Sequence, residues 1–210
     1  MLTKLRPLSI AAALAAALAT AAPARADAVS DSTQLIRTMA DTVVAILANK
    51  GLPKAQREER FRQIYRANFD GPIIAQSVMG PPWKSASPAA RQEYLQVFET
   101  YIAKVYAAQL STYSGEKLEV IKSEADGPGA TIESRIVDPK SGRTVSIVWR
   151  LRPTDGKMKV RDVLIENISM ALTQRREFAA VLQRRGGTAE ALTAAIREKI
   201  ADLDKPTNKK

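Results

Sequence analysis

Between residues 143 and 151 apolar and polar positions take turns. Val145, Ile147, Trp149 and Leu151 fall on one side, Thr144, Ser146, Val148 and Arg150 on the other. A two-residue period suits a β-strand with one buried face and does not suit a helix. Pro153-Thr154-Asp155-Gly156 supplies the turn chemistry that sends the chain back through residues 160–170 as a neighbouring strand. Past Met170 the period becomes helical, with Leu172, Phe178, Val181 and Leu182 sharing a face until Gly186-Gly187 ends it. The rest of the chain has to pack against this strand, turn, strand, helix unit.

Upstream, Asp31 and Gln34 have capping-box spacing, which predicts a helix from Asp31 to about Asn49. Its inward stripe is Leu35, Ile36, Met39, Val43, Ile46 and Leu47. Pro53 opens a second helix that turns Phe61, Ile64, Tyr65 and Phe69 inward, leaves Arg57, Glu58, Glu59 and Arg60 solvated, and ends at Asp70-Gly71-Pro72. A short helix over residues 73–79 follows. After Gly80-Pro81-Pro82, Trp83 is expected on a loop, where its ring either seals the core edge or stands at the mouth of a ligand site. Ser87-Pro88 is a cap followed by a first-turn proline, and the helix it opens is expected to reach Tyr113. Leu95, Phe98, Ile102, Val105, Tyr106, Leu110 and Tyr113 form its stripe, so this helix should lie across the sheet.

Residues 118–123, 130–137 and 143–151 read as strands joined by Asp126-Gly127-Pro128-Gly129 and by residues 138–142. With residues 160–170 they predict an antiparallel sheet of about four strands, the first being the shortest and an edge. Thr188 caps a last helix that turns Leu192, Ile196, Ile200 and Leu203 inward, and residues 205–210 are a polar tail. The expected class is α+β: one domain over residues 27–204, with the sheet wrapped by N-terminal and C-terminal helices. A 210-residue chain that is 45% hydrophobic and 26% charged can bury such a core.

The first 26 residues have a different character. Lys4 and Arg6 precede an apolar stretch from Leu8 to Ala22, and Ala24-Arg25-Ala26 has the pattern of a signal-peptidase site. The apolar run is shorter than the roughly 20 residues that cross a bilayer. A signal peptide cleaved after Ala26 and a bacterial periplasmic location are therefore expected. Without cysteine, an exported chain relies on packing alone. Removal of the three leader cations lowers the formal charge from +10 to +7. In an exported protein such an excess points away from nucleic acid, toward anionic headgroups or an acidic protein face.

Histidine is absent too. That removes Ser-His and Cys-His nucleophile pairs and the usual zinc sites. The remaining candidates for a catalytic base are Glu133, Asp162 and Glu166, carboxylates on strands that a cavity could receive. No second acid is fixed by spacing, so an isomerase or hydrolase using Asp162 is the minor alternative. Acidic residues show no EF-hand spacing, and Asp126-Gly127-Pro128-Gly129 lacks the lysine of a phosphate loop. A site for an apolar ligand remains. Ile132, Ile136, Val145, Ile147, Trp149, Val163 and Ile165 on the sheet face Phe98, Ile102, Val105 and Tyr106 on the long helix. Periodicity alone does not separate a filled core from a cleft between these faces.

The run Val160-Arg161-Asp162-Val163-Leu164-Ile165-Glu166-Asn167-Ile168-Ser169-Met170, with Thr173-Gln174-Arg175, Glu177-Phe178 and Gly186-Gly187, resembles the signature of the MlaC family, also called toluene-tolerance auxiliary components. The resemblance extends through Phe69-Asp70, Met79-Gly80, Trp83-Lys84 and residues 94–115, covering nearly all of the mature chain. It departs at Met158 and Asn167, where the family usually has Trp and Gly, and this puts the geometry at the two ends of that strand in question. The resemblance implies a periplasmic phospholipid-binding protein that needs no cofactor and no metal, with an apolar cavity between sheet and helices. The acyl chains would lie among the sheet and helix residues just named, with Phe69, Ile73 and Trp83 added. Lys84, Arg175 and Arg176 would meet the headgroup or a partner. The implied partners of this monomer are an outer-membrane lipoprotein and porin complex and an inner-membrane ABC transporter with its substrate-binding subunit. A carrier of hopanoid or another isoprenoid lipid is the neighbouring alternative.

Overall fold

The computed structural model describes residues 21–110, 113 and 115–205. Helices α1 (Ala21–Ala48), α2 (Lys54–Asn68), α3 (Gly71–Met79), α4 (Pro82–Ser85) and α5 (Pro88–Gln109) come first. Strands β1 (Lys117–Asp126), β2 (Gly129–Val137), β3 (Thr144–Thr154), β4 (Lys157–Ile165) and β5 (Ile168–Ser169) follow, then α6 (Met170–Arg184) and α7 (Ala189–Asp204). The strands form one antiparallel sheet in chain order. The class is α+β, as expected, with five strands rather than four.

Several boundaries differ from the sequence reading. The box at Asp31 and Gln34 caps nothing, because α1 is already helical from Ala21; the alanine-rich residues before Asp31 carry the helix upstream. Most of the leader lies outside the described residues, and among them no helix is long and apolar enough to cross a membrane. The polar tail at residues 206–210 also lies outside them. Trp83 sits in α4 rather than on a loop, since Pro81 already has helical angles. Helix α5 starts where Ser87 accepts from the Ala90 amide at 3.1 Å, as the cap requires. It ends at Gln109, short of Tyr113; residues 111 and 112 lie outside the described residues.

β1 lies at the sheet edge as expected but is longer than β2 and β4, and it absorbs a bulge between Val120 and Lys122. The expected strand over 160–170 is divided. Glu166 and Asn167 both have positive φ, 49° and 63°, which forms a tight turn between β4 and β5 and lets α6 begin at Met170. Asn167 tolerates this conformation better than most residues, so it can stand in a turn where glycine would be easier. Met158, the other departure, packs against the core beneath α1. Pro153 falls within β3 opposite Met158. β2 ends its pairing at Ala130 with Leu151, so no partner on that side asks Pro153 for an N–H.

The sheet buries one face. Ala130, Ile132 and Ser134 on β2 stand opposite Leu151, Trp149 and Ile147 on β3. At one end this face closes under α1, where Ile36, Ala130, Ile132, Leu151 and Val160 are fully buried. A second core joins α3, α5, α6 and α7 around Tyr94, Phe98, Phe178, Leu192 and Ile196. Between these two packed regions the sheet and helices separate.

Candidate functional site

That separation is a pocket of about 770 Å³. Its floor is Ile136, Val145, Ile147 and Trp149 on β2 and β3, with Val163 and Ile165 on β4. These residues share a face because Val163 pairs with Trp149 and Ile165 with Ile147. The bulge between Arg150 and Leu151 shifts the register there, so Val160 drops back into the closed core beside Leu151. Helix α5 forms the roof with Phe98, Ile102 and Tyr106, continued by Leu110 just past its end; α1 and α2 add Val43, Leu47, Phe61 and Tyr65, with Phe69 directly after α2.

The polar groups at one end of the pocket are largely satisfied by protein. Asp162 Oδ1 accepts from the Val163 amide at 2.9 Å and the Ala171 amide at 3.2 Å, while Oδ2 accepts from the Ser169 hydroxyl at 2.7 Å. Ser169 in turn caps α6 by accepting from the Leu172 amide. Asp162 is thus the anchor between β4 and the start of α6. Asp70, 5% exposed, holds Arg161 Nε at 3.0 Å and the Thr154 hydroxyl at 2.7 Å. Its own amide donates to the Val160 carbonyl, which pins the corner between α2 and α3 to β4. Burial raises the Tyr106 hydroxyl above its ordinary pKa, and Tyr101 and Asp162 add to the shift, so it lines the wall as a neutral group. The opposite end of the sheet brings Lys117, Asp138, Arg143 and Thr144 to the pocket, since Val137 pairs with both Lys117 and Thr144.

Ten of the residues expected around acyl chains line this pocket: Phe69, Phe98, Ile102, Tyr106, Ile136, Val145, Ile147, Trp149, Val163 and Ile165. Ile73, Trp83, Val105 and Ile132 do not. Ile73 is 42% exposed, and its neighbour Ile74 takes the inward place on α3. Trp83 packs edge-on to Tyr94 at 6.4 Å with the Arg91 guanidinium 5.3 Å from its ring, sealing the helical core. Val105 joins that same core, and Ile132 lies at the closed end of the sheet. Lys84, Arg175 and Arg176 are also away from the pocket; Lys84 is on α4, and Arg175 lies beside Gly80. The residues missed by the sequence reading come chiefly from α1, α2, α3, the start of α6 and the strand ends. Their helical stripe was visible, but nothing local shows that α1 stops short of closing over the whole sheet.

Neither of the other candidate carboxylates lines the pocket. Glu166 accepts from the Ser146 amide at 2.6 Å, and Glu133 stands opposite Val148 on the strand positions that alternate with the buried face. Among the described residues no three His, Cys, Asp or Glu side chains group as a metal site.

Sheet, helices and pocket together define an α+β domain that leaves an apolar compartment between its two layers. The family described as MlaC protein matches residues 37–198, and the chain belongs to it. It is 25% identical over 113 residues to the Haemophilus influenzae intermembrane phospholipid transport system binding protein MlaC, covering 52% of this chain and 53% of that one. It is also 25% identical over 119 residues to Pseudomonas putida toluene tolerance protein ttg2D, covering 56% and 55%. The chain thus matches about half the length of these curated relatives. A phospholipid-binding protein from Ralstonia solanacearum, solved in complex with a phospholipid, shares the fold with a TM-score of 0.70 at 22% identity, over 83% of this chain and 99% of that one.

Proposed function

We propose that this chain is a periplasmic phospholipid carrier, exported by its leader, that shuttles lipid between an outer-membrane lipoprotein and porin complex and an inner-membrane ABC transporter. The observation that carries the reading is the apolar pocket between sheet and helices. Family membership supports it, as do a relative named for intermembrane phospholipid transport and a fold neighbour holding a phospholipid. The mechanism is partition. Each acyl methylene gains about 0.8 kcal/mol on leaving water, so two chains hold the lipid without specific polar contacts. Lys117 and Arg143, at the polar end of the pocket, are the cations positioned for a headgroup phosphate. The carrier performs no turnover.

Native mass spectrometry of the mature protein, prepared from a bacterial periplasm without detergent, tests this reading. Stoichiometric phospholipid is expected. An isoprenoid lipid in its place would change the substrate class, and a bare mass that persists after incubation with phospholipid vesicles would end the carrier reading.

A further inference from the structure

The pocket opens to solvent where β1 begins and β2 turns into β3. Val145, two residues in from that turn, lines the pocket and is 38% exposed. Lys117, Asp138 and Arg143 line the pocket at this mouth. Strand pairing sets their order, because Val137, just before Asp138, stands between Lys117 and Thr144. Asp138 and Arg143 close the hairpin, with the Asp138 amide donating to the Arg143 carbonyl at 2.9 Å. An acidic position is thus flanked by a basic position on each neighbouring strand, one strand spacing of about 4.8 Å away.

These three charges are left open. Elsewhere on the sheet Glu119 closes on Arg135 at 2.8 Å, Arg150 approaches Asp162 at 3.9 Å, and Lys122 takes Glu124 at 2.7 Å. At the mouth Asp138 and Arg143 stand across from each other without closing, and among the described residues none of Lys117, Asp138 and Arg143 forms an ion pair. The carboxylate is held by its own turn instead: Oδ1 accepts from the Lys140 amide at 2.8 Å and Oδ2 from the Ser141 hydroxyl at 2.5 Å. Those bonds keep Asp138 below the ordinary carboxyl range, so it is charged at neutral pH. Each oxygen still has a lone pair for a further donor. Arg143 gives its Nε to the Ser141 hydroxyl at 3.3 Å, and its terminal nitrogens have no protein partner among the described residues. Glu116 lines the mouth as well but is engaged within the chain.

We propose that this mouth is a headgroup site for a zwitterion with a primary ammonium. Lys117 and Arg143 take the phosphate and Asp138 takes the ammonium, so phosphatidylethanolamine is favoured over phosphatidylglycerol and phosphatidylcholine. The inference rests on the phospholipid-carrier reading and adds a selection that acyl chains do not make. The two-carbon arm of ethanolamine spans about the step between neighbouring strands. Its ammonium brings N–H donors to the carboxylate. A glycerol headgroup brings only neutral hydroxyls there, and a choline nitrogen has no N–H. Charge-assisted bonds are the stronger kind, and solvent at an open mouth limits the gain to about fivefold.

The test offers the mature protein vesicles of equal parts dioleoyl phosphatidylethanolamine, phosphatidylglycerol and phosphatidylcholine, so that the tails are identical, and reads the bound lipids by native mass spectrometry. Wild-type protein should hold the ethanolamine lipid about fivefold over each of the others. Asp138→Asn should erase that preference, while Arg143→Gln should lower the loading of all three lipids, which share the phosphate. Glu119→Gln removes an equal charge from β1 outside the pocket and should leave the profile as it is. Circular dichroism confirms that each variant is folded. A wild-type profile that matches the vesicles, favours phosphatidylglycerol or treats ethanolamine and choline alike overturns the site and leaves the carrier reading intact. An unchanged profile in folded Asp138→Asn does the same. A Glu119→Gln shift equal to that of Asp138→Asn also overturns the site, since net charge then accounts for the preference. Wild-type protein that takes up no lipid overturns the carrier reading, and the headgroup site with it.

Discussion

Trp149 donates its indole N–H to the Ser134 hydroxyl at 2.9 Å, and Ser134 passes its own proton to the Ile147 carbonyl at 3.2 Å. The pair spans β2 and β3 beneath the pocket floor. Ser134 is 3% exposed, so its hydroxyl has no ready water as a substitute partner. A buried hydroxyl in an apolar sheet face is thereby explained: it satisfies the one polar atom of the floor's largest side chain and fixes the plane of the ring.

Ser134→Ala should therefore remove the indole's protein partner and destabilise the fold by about 0.5–1.5 kcal/mol in denaturant unfolding. Loss of the constraint should also change the Trp149 emission of a Trp83→Phe background. Unchanged stability and emission would show that the ring does not depend on this bond.

Filling the pocket should abolish loading without unfolding the protein. Ile102→Trp adds bulk to the roof, and Ile147→Arg puts an unpaired charge on the floor. Displacing even two methylenes should lower lipid retention about tenfold or more. Folded variants that still carry stoichiometric phospholipid would place the lipid elsewhere.

Asp162→Asn separates the anchor role from catalysis. The carboxylate accepts backbone and hydroxyl donors at the start of α6, so its loss should cost about 1–2 kcal/mol of stability while lipid loading persists. Turnover of a small ester or an isomerisable substrate that vanishes in this variant would instead make the protein an enzyme.

Acid should loosen the C-terminal helix. Lys104 on α5 holds Asp204 of α7 at 2.6 Å and Glu58 of α2 at 2.8 Å. Its hydrogen bond keeps the Asp204 carboxyl below the ordinary aspartate value. A depressed carboxyl stabilises the folded state above its unfolded pKa, about 3.9, and that contribution is lost as pH falls through the lower folded value. The melting temperature should fall between about pH 5 and pH 2, and Lys104→Met should flatten that part of the curve. An identical acid limb in the variant would assign the loss to other carboxylates.

Gly129 closes the β1–β2 hairpin with no room for a side chain, because a Cβ there would overlap the Leu151 carbonyl oxygen. Gly129→Ala should cost about 3 kcal/mol and lower the melting temperature by roughly 10 °C, measured by calorimetry.

The sheet was legible because alternation is a local property: Val145, Ile147 and Trp149 declare a shared face whatever lies above them. The Ser87 and Thr188 caps were legible for the same reason, since side chain and amide are three residues apart. Asp31 misled because the alanine-rich stretch before it is already helical, so there is no helix start there for it to cap. Which apolar residues are core and which line the pocket was not written locally. Ile132 and Ile136 are four residues apart on one strand face, yet the first is closed under α1 and the second opens to the pocket. That division depends on where α1 crosses the sheet and on the single-residue bulge that turns Val160 onto the same face as Val163, beside Leu151 in the closed core. The sequence by itself determined strands, most helix ends and the apolar faces, because propensity and periodicity act within a few residues. Only the tertiary structure decided how far apart those faces stand, because a gap between layers depends on contacts among residues far apart in the chain.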